Sequence, residues 1–394
     1  MKKFFYENAP SGWRIAFLTL LLLWCASLFF KNAVYQISFA ALNLLFLAHL
    51  LYFKNYEILS EILKKTRFIA ICFICLVATL AISNLLNEAV ISKKAWQSTI
   101  FFVLRYGAIF LVLCYFYKLK FFDENAVFAF LFVGLGILSV SVIYQLINSP
   151  DAIVFASDSV RGGLSGSLSN RNILGLFMGF GLCLSAVAIR RPLALKFATL
   201  FLFAFFMIFS FSRAAWVGAF CALAFYGALN LKSLNKKYLL FSVGFIALFA
   251  VLLALSPSFE QRLAALFSGN SSGRTVIWSY ILEMAQEKPI LGYGLGSYIN
   301  LPGSPVLEHP EYNAPHNLFL EILLYSGALG LIFYGAILFS VFKECIQRRQ
   351  FGVLTLLIYL LIDCQFDHGA YLSKEALSLA TILSFLAYRM RIER

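Results

Sequence analysis

Long apolar runs recur along this chain, and they restrict its fold more than any other feature. Runs of roughly 17 to 25 apolar residues match the length of an α-helix that crosses a bilayer. Hydrophobic residues make up 61% of the 394 residues and charged residues only 13%, a balance that a soluble domain of this length does not have. Because the runs are not the short alternating segments of an outer-membrane barrel, the sequence predicts an all-α polytopic membrane protein.

These runs predict twelve transmembrane helices and one long polar loop. The spans lie at 13–30, 33–53, 68–86, 97–117, 126–147, 172–189, 194–211, 214–230, 238–255, 317–342, 351–366 and 375–388. We expect residues 1–394 to form a single transmembrane domain, with the loop at 256–316 inserted between spans nine and ten. Helical spacing of apolar residues predicts two short helices in that loop, at 257–267 and 274–287.

The distribution of basic residues predicts the orientation of these spans. With both termini in the cytoplasm, 21 of the 32 Lys and Arg residues fall in cytoplasmic segments and ten in external ones, as the positive-inside rule requires. The long loop then lies outside. Most of the net charge of +13 is explained by contacts with anionic membrane lipids, so we expect no nucleic-acid partner.

A Gly/Ser-rich loop joins spans five and six and is rich in potential anion-binding groups. It runs from Arg161 to Asn172 and includes Arg171 and a plausible N-cap, Asn170. Glycines allow backbone N–H groups to approach a ligand, and the following helix presents its positive end to the same place. A bound anion and an ordinary flexible connection explain this pattern equally well.

Two further arginines begin predicted helices on the outer side. Arg213 lies in the very short turn between spans seven and eight, and Arg274 starts the second helix of the long loop. A guanidinium and the free N–H groups of a first helical turn can bind one anion together. For Arg213, a side chain that extends to the membrane surface is the simpler explanation when that turn is considered alone.

His316 has the best setting for acid–base chemistry among the four histidines. It lies at the start of span ten, just outside the hydrocarbon, where partial desolvation and nearby arginines would keep its pKa near or below neutrality. A histidine at a helix end is more often a cap or a packing residue.

Several short motifs, in this order, resemble the O-antigen ligase family of bacterial inner membranes. They cover roughly residues 160–340 and are Ser212-Arg213, Gly273-Arg274 with Trp278, Pro289, Gly292-Tyr293-Gly294-Leu295-Gly296-Ser297, His316-Asn317, Gly327 and Gly330. The resemblance implies a GT-C-like glycosyltransferase with a periplasmic active site. It would transfer a glycan from undecaprenyl diphosphate to a sugar of lipid A core. Arg213 and Arg274 would bind the diphosphate, and His316 would assist the acceptor.

The remaining expectations for the site follow from the chemistry of that reaction. Arg161, Arg171, Asn172, Asn317, Glu321 and Arg105 are candidate substrate-binding residues. Tyr325 stands where the family often has an acidic residue, so a role for an acid here would require Glu321, one turn nearer His316, to substitute for it. No cofactor is needed. The external loops contain no closely spaced Asp pair for a divalent cation, so we expect transfer without a metal ion, with arginines neutralising the diphosphate.

Two other functions remain open at this point. A polymerase of lipid-linked repeat units would share the architecture and chemistry, and would differ in using a second lipid-linked glycan as acceptor. A transporter of lipid-linked sugars would also explain the spans and the cationic outer surface. It would be expected to place charges deep in several spans, whereas Arg105 alone lies well inside one.

Arg105 lies about 12 Å below the outer face if the fourth span rises 1.5 Å per residue. An arginine at that depth is costly unless it has a partner. Glu321 lies about 7 Å deep by the same count and predicts an ion pair with Arg105 that would fix the top of span ten. A cavity-lining Arg105 that contacts water or the carrier phosphate is nearly as plausible.

Overall fold

The computed structural model describes most of the chain as α-helix. The described residues are 11–30, 33–153, 162–168, 170–230, 273–367, 371, 373–393 and the single positions 244, 247, 251, 260 and 264. The helices are α1 Ser11–Ser27, α2 Ala33–Phe53, α3 Tyr56–Lys65, α4 Arg67–Leu86, α5 Ala95–Lys118, α6 Glu124–Asn148, α7 Arg171–Ala188, α8 Leu193–Phe209, α9 Arg213–Leu229, α10 Arg274–Glu287, α11 Leu318–Gln347, α12 Phe351–Asp363 and α13 Lys374–Glu393.

Apolar helices in the described residues confirm an all-α membrane protein. Six of them, α2, α4, α5, α6, α7 and α11, are long and apolar enough to cross a bilayer, and α1, α8, α9 and α12 are shorter apolar helices. Span nine, at 238–255, and the loop helix at 257–267 lie outside the described residues apart from single positions. The count of twelve spans and the GT-C class therefore stay predictions.

The chain divides into two compact units. The first contains residues 1–131, 273–353 and 364–394, and the second contains residues 132–272 and 354–363. The expected single transmembrane domain stays a prediction, as do the bounds of the loop at 256–316, of which the structure describes the part from Gly273 onward.

In the first unit, α4 packs against α11, α1 against α2, and α13 against α5. One helix in this unit was not predicted. The amphipathic helix α3 has Ile58 and Ile62 buried on one side, and its ten residues are too short and too charged for a span. The loop helix predicted at 274–287 is present as Arg274–Glu287, and its buried residues are Ile277, Ile281 and Ala285.

In the second unit, α7 packs against α8 and α9. Glycines allow this close approach. A Cβ at Gly175 would lie 2.4 Å from the Ser212 Cβ, and one at Gly179 would lie 2.3 Å from the Tyr359 hydroxyl. The Tyr359 hydroxyl donates a hydrogen bond to the Leu176 carbonyl at 2.8 Å.

Within the first unit, a break in α11 receives the turn that follows α10. Gly327 has φ 64° and ψ −164°, which interrupts the helix. The Tyr293 and Gly294 N–H groups donate to the Leu324 and Tyr325 carbonyls at 2.7 and 3.0 Å. In the other direction, Ala328 N donates to Pro289 O at 2.8 Å. The turn thus satisfies the backbone groups that the break exposes, and it fixes α10 to the top of α11.

Candidate active site

The segment after α12 binds the first residues of both α10 and α11. Three consecutive carbonyls at 364–366 accept hydrogen bonds, in order, from Leu318 N at 2.9 Å, the Asn317 side-chain amide at 3.0 Å and Arg274 Nε at 2.5 Å. These bonds join parts of the chain that are up to 92 residues apart. They bring Arg274 and the residues next to His316 to one place.

Asp367 continues this segment and contacts both predicted catalytic side chains. Its Oδ1 accepts a hydrogen bond from Arg274 Nη2 and lies 4.0 Å from His316 Nδ1. The Asp367 side chain is 5% exposed, whereas those of Arg274 and His316 are 16% and 27% exposed. A buried carboxylate thus lies between a guanidinium and an imidazole that both reach solvent.

The backbone around His316 explains how this contact is held. His316 has a positive φ of 51°, an uncommon conformation for a residue other than glycine. On one side, the Pro315 carbonyl accepts a hydrogen bond from the Trp278 indole at 3.2 Å. On the other side, the Asn317 side-chain oxygen caps α11 by accepting from Phe319 N at 3.0 Å and Leu320 N at 2.9 Å. His316 is therefore fixed between α10 and α11.

Asn317 and Glu321, predicted to bind substrate, have structural contacts in this arrangement. The Asn317 amide and oxygen make the bonds given above. Glu321 is 2% exposed, and its Oε1 accepts from the Tyr371 N–H at 3.1 Å. The Tyr371 hydroxyl forms a hydrogen bond with Ser326 Oγ at 2.8 Å, so Glu321 and Ser326 together fix the chain just before α13. Substrate binding by Asn317 and Glu321 stays a prediction.

The predicted ion pair between Arg105 and Glu321 is not found among the ion pairs of the described residues, and the buried Arg105 Nε has no hydrogen-bond partner there. The Arg105 guanidinium lies 4.9 Å from the Phe101 ring centroid and 5.8 Å from that of Tyr35. The prediction was wrong because a depth count gives no rotation about the helix axis. Residues 103–108 also form a π-helical segment, which shifts side-chain directions within α5.

The second unit contains the other predicted arginines that the structure describes. Arg171 begins α7 and donates from Nη1 to the Gly162 carbonyl at 2.8 Å. The predicted N-cap, Asn170, accepts from the N–H groups of Asn172 at 2.8 Å and Ile173 at 3.4 Å. Arg161 lies outside the described residues.

Arg213 begins α9, directly after the turn that packs against α7. Gly163 lies against that turn, because its Cβ would be 3.0 Å from the Ser210 carbonyl and 3.3 Å from the Arg171 Cδ. Leu164 N also donates to Phe209 O at 2.8 Å. The loop at 162–168 thus contacts both the start of α7 and the turn that precedes α9.

Asp367 is the site residue that the sequence did not predict. It lies in a short loop after an apolar run, and its contacts are with residues 93 and 51 positions earlier. Its predicted side of the membrane did not single it out, because nine of the 19 acidic residues fall in the predicted external loops. In the described part of the chain, no three His, Cys, Asp or Glu side chains are grouped as metal ligands; metal independence stays a prediction.

Comparison with known proteins places this site in context. Residues 198–335 match the family described as O-antigen ligase, which confirms the resemblance. The matched segment contains Arg213, Arg274, His316 and Glu321, whereas Asp367 lies beyond it.

Two relatives are similar over a shorter region. A protein of Rickettsia conorii named "Putative polysaccharide ligase" is 31% identical over 96 residues, or 22% of this chain and 23% of the relative. A protein of the same name from Rickettsia felis is 32% identical over 83 residues, or 19% of this chain and 20% of the relative. The chain therefore matches less than a quarter of the length of either protein.

Proposed function

We propose that this chain, in which residues 198–335 match O-antigen ligases, is a membrane glycosyltransferase that uses a glycan carried on undecaprenyl diphosphate. The acceptor is a sugar of lipid A core, on the periplasmic face of the bacterial inner membrane. The observation that carries the proposal is the placement of Arg274 and His316 on one buried carboxylate, Asp367. These side chains provide a cation for the leaving group and a base for the acceptor.

Arg274 is the residue that stabilises the departing diphosphate. Negative charge grows on its bridging oxygen as the glycosidic bond breaks, and a fixed guanidinium stabilises that charge more in the transition state than in the ground state. The Phe366 carbonyl and Asp367 hold Arg274 in position from one side. Its side chain is 16% exposed, which leaves part of it accessible to the substrate.

His316 acts as the general base in this proposal. The acceptor hydroxyl gives its proton to the imidazole as its oxygen bonds to the anomeric carbon, and the diphosphate leaves with the electron pair of the broken bond. A base of this kind contributes roughly 10² to 10⁴ in rate. Asp367 orients the ring and stabilises the imidazolium that forms, and the 4.0 Å separation is of the kind that shortens when substrate binds.

Arg171 and Arg213 supply further positive charge at two helix starts of the second unit, where the helix dipoles also favour anions. We assign them, together with Arg161 and Asn172, to the binding of anionic or polar groups of the donor within that unit. No divalent cation is required in this scheme because arginines neutralise the charge.

A polymerase of lipid-linked repeat units is the main alternative, since it needs the same leaving group and base. Reconstitution separates the two. The full chain is placed in proteoliposomes with an undecaprenyl diphosphate glycan and rough lipopolysaccharide. A ligase adds sugar to lipid A core, whereas a polymerase lengthens the carrier-linked glycan. If labelled carrier crosses the bilayer without transfer to either acceptor, the protein is a transporter.

Arg274→Ala tests the assigned chemistry in the same assay. We expect it to abolish transfer while the protein still inserts, and Arg274→Lys to restore little because lysine lacks the planar fork. Glu283→Gln, an exposed change on the same helix, is the control and should retain activity. Full transfer by Arg274→Ala would contradict the role of Arg274. Loss of transfer in EDTA that Mg²⁺ restores would contradict metal independence.

A further inference from the structure

A cavity of about 270 Å³ lies beside the first turn of α10. It is bounded by Val276 on that helix and by the segment 303–312. The walls combine a phenol ring from Tyr312, aliphatic carbon from Val276 and Leu307, and polar groups from Ser304, Glu308 and His309. Since one water occupies about 30 Å³ in the liquid, the cavity has room for one sugar ring.

The chemistry of these walls fits a neutral sugar. A pyranose has apolar C–H faces that pack on an aromatic ring, and hydroxyls at its rim that bond to carboxylate and hydroxyl oxygens. None of the described residues that line the cavity is Lys or Arg. Glu308 contributes a carboxylate, and His309 already lies 3.3 Å from Glu311. This balance disfavours a phosphorylated or carboxylated sugar, which would bring a second negative charge.

The cavity adjoins the start of α10, one residue before Arg274. The Tyr312 ring packs on Gly273, where a Cβ would lie 2.2 Å from the ring, and Gly273 directly precedes Arg274. Val276 lies two residues after Arg274 and so faces the other side of α10. The cavity is instead joined to the proposed site through its wall at 303–312, which leads directly to Pro315 and His316. A sugar in the cavity would therefore be held on the segment that carries the base.

We infer that this cavity binds a neutral sugar of the acceptor, on the segment that leads to the proposed base, His316. The inference rests on the proposed function, which requires a binding site for the acceptor sugar. The proposed ligands of the donor diphosphate are arginines, whereas no Lys or Arg is among the described residues that line the cavity, so the diphosphate itself is not expected there.

Direct binding tests the cavity without catalysis. The full chain in nanodiscs is titrated with methyl glucoside and methyl galactoside, and saturation transfer to the sugar protons is measured by NMR. We expect transfer for the neutral glycosides, loss of roughly tenfold in affinity in Tyr312→Ala and in Glu308→Gln, and near-normal binding in Tyr312→Phe. Glucose 6-phosphate should bind more weakly than either glycoside. Glu283→Gln, an exposed acid on the same helix, is the matched control.

Kinetics give the second measurement. Tyr312→Ala and Glu308→Gln should raise KM for rough lipopolysaccharide by about tenfold, with KM for the donor unchanged. If the unaltered protein transfers glycan but both variants match it in sugar binding and in acceptor KM, the assignment of the cavity is wrong and the proposed function stands. If the unaltered protein transfers nothing, the proposed function is wrong and sugar binding alone decides the role of the cavity.

Discussion

At the residue scale, Asp367 is the side chain that contacts both Arg274 and His316, the two other residues of the proposed chemistry. Asp367→Asn keeps its size but removes the charge that stabilises an imidazolium and holds Arg274. We expect the rate of transfer to fall roughly 10²- to 10⁴-fold, while the melting temperature changes little. Single-turnover rates over a range of pH provide the measurement.

If Asp367 acts by positioning His316 and Arg274, we expect two further results. The pH profile of Asp367→Asn should shift, because the environment of the base has changed, and Asp367→Glu should recover part of the rate. A variant that has lost activity with an unaltered pH profile and no recovery in Asp367→Glu would indicate a purely structural residue.

The sequence predicted Arg274 and His316 but not Asp367, because only the first two are marked by a pattern of neighbouring residues. Arg274 and His316 lie at helix starts with glycine or proline before them, and this pattern can be recognised within a few residues. Asp367 has significance only through contacts across 51 and 93 positions. Arg105 shows the same limit, because its neighbours Phe101 and Tyr35 depend on rotation and packing that a depth count omits.

At the element scale, the break in α11 gives a matched pair of substitutions. A Cβ at Gly327 would lie 2.2 Å from the Ile290 carbonyl oxygen, and the backbone there has positive φ. Gly335, in the same helix, has nothing within 4 Å of its Cβ position. We expect Gly327→Ala to lower thermal stability strongly, by more than about 3 kcal/mol. Gly335→Ala should be neutral or slightly stabilising. Melting temperatures in one detergent compare the two, and equal values would contradict the interlock between α11 and the turn.

A second prediction at this scale concerns α3 and the end of α13. Lys65 and Lys118 donate to Glu61 at 2.5 and 2.9 Å, and both also donate to the Ile392 carbonyl. Hydrogen bonds from the two lysines lower the pKa of Glu61 below its usual value. The stabilisation is therefore present above the usual carboxyl pKa and is lost as the pH falls through the lowered one.

Glu61→Gln should accordingly destabilise the protein at pH 7, by at most about 1 kcal/mol because the carboxylate is partly exposed. The difference in melting temperature from the unaltered protein should shrink as the pH approaches and passes below the usual carboxyl pKa. A difference that is constant with pH would show that packing, and not charge, makes the contribution.

At the scale of the whole molecule, the basic residues predict which face of the membrane each loop occupies. A cysteine introduced in place of Glu308 should react with a membrane-impermeant maleimide in cells whose outer membrane has been made permeable. One introduced in place of Lys64 should react only after lysis. The reverse pattern would overturn the orientation and with it the periplasmic site.

Most helices that the structure describes could be predicted from the sequence, whereas the division of the chain into two compact units could not. Apolar runs predicted α1, α2 and α4 to α9 closely, because a spanning segment must be apolar along its whole length. The interruption of α11 at Gly327 and the two compact units depend on contacts between distant segments. Hydropathy contains no information about those contacts.

The hydrogen bonds that residues 364–367 accept also determine when the site is complete during synthesis. Arg274 and His316 leave the ribosome first, whereas the three carbonyls and the carboxylate that hold them follow later, at 364–367. We expect a protein that stops after residue 350 to contain the whole segment that matches the ligase family and still lack an ordered site. We therefore expect the proposed site to stay unordered until the segment 364–367 has been synthesised and has reached Arg274 and His316.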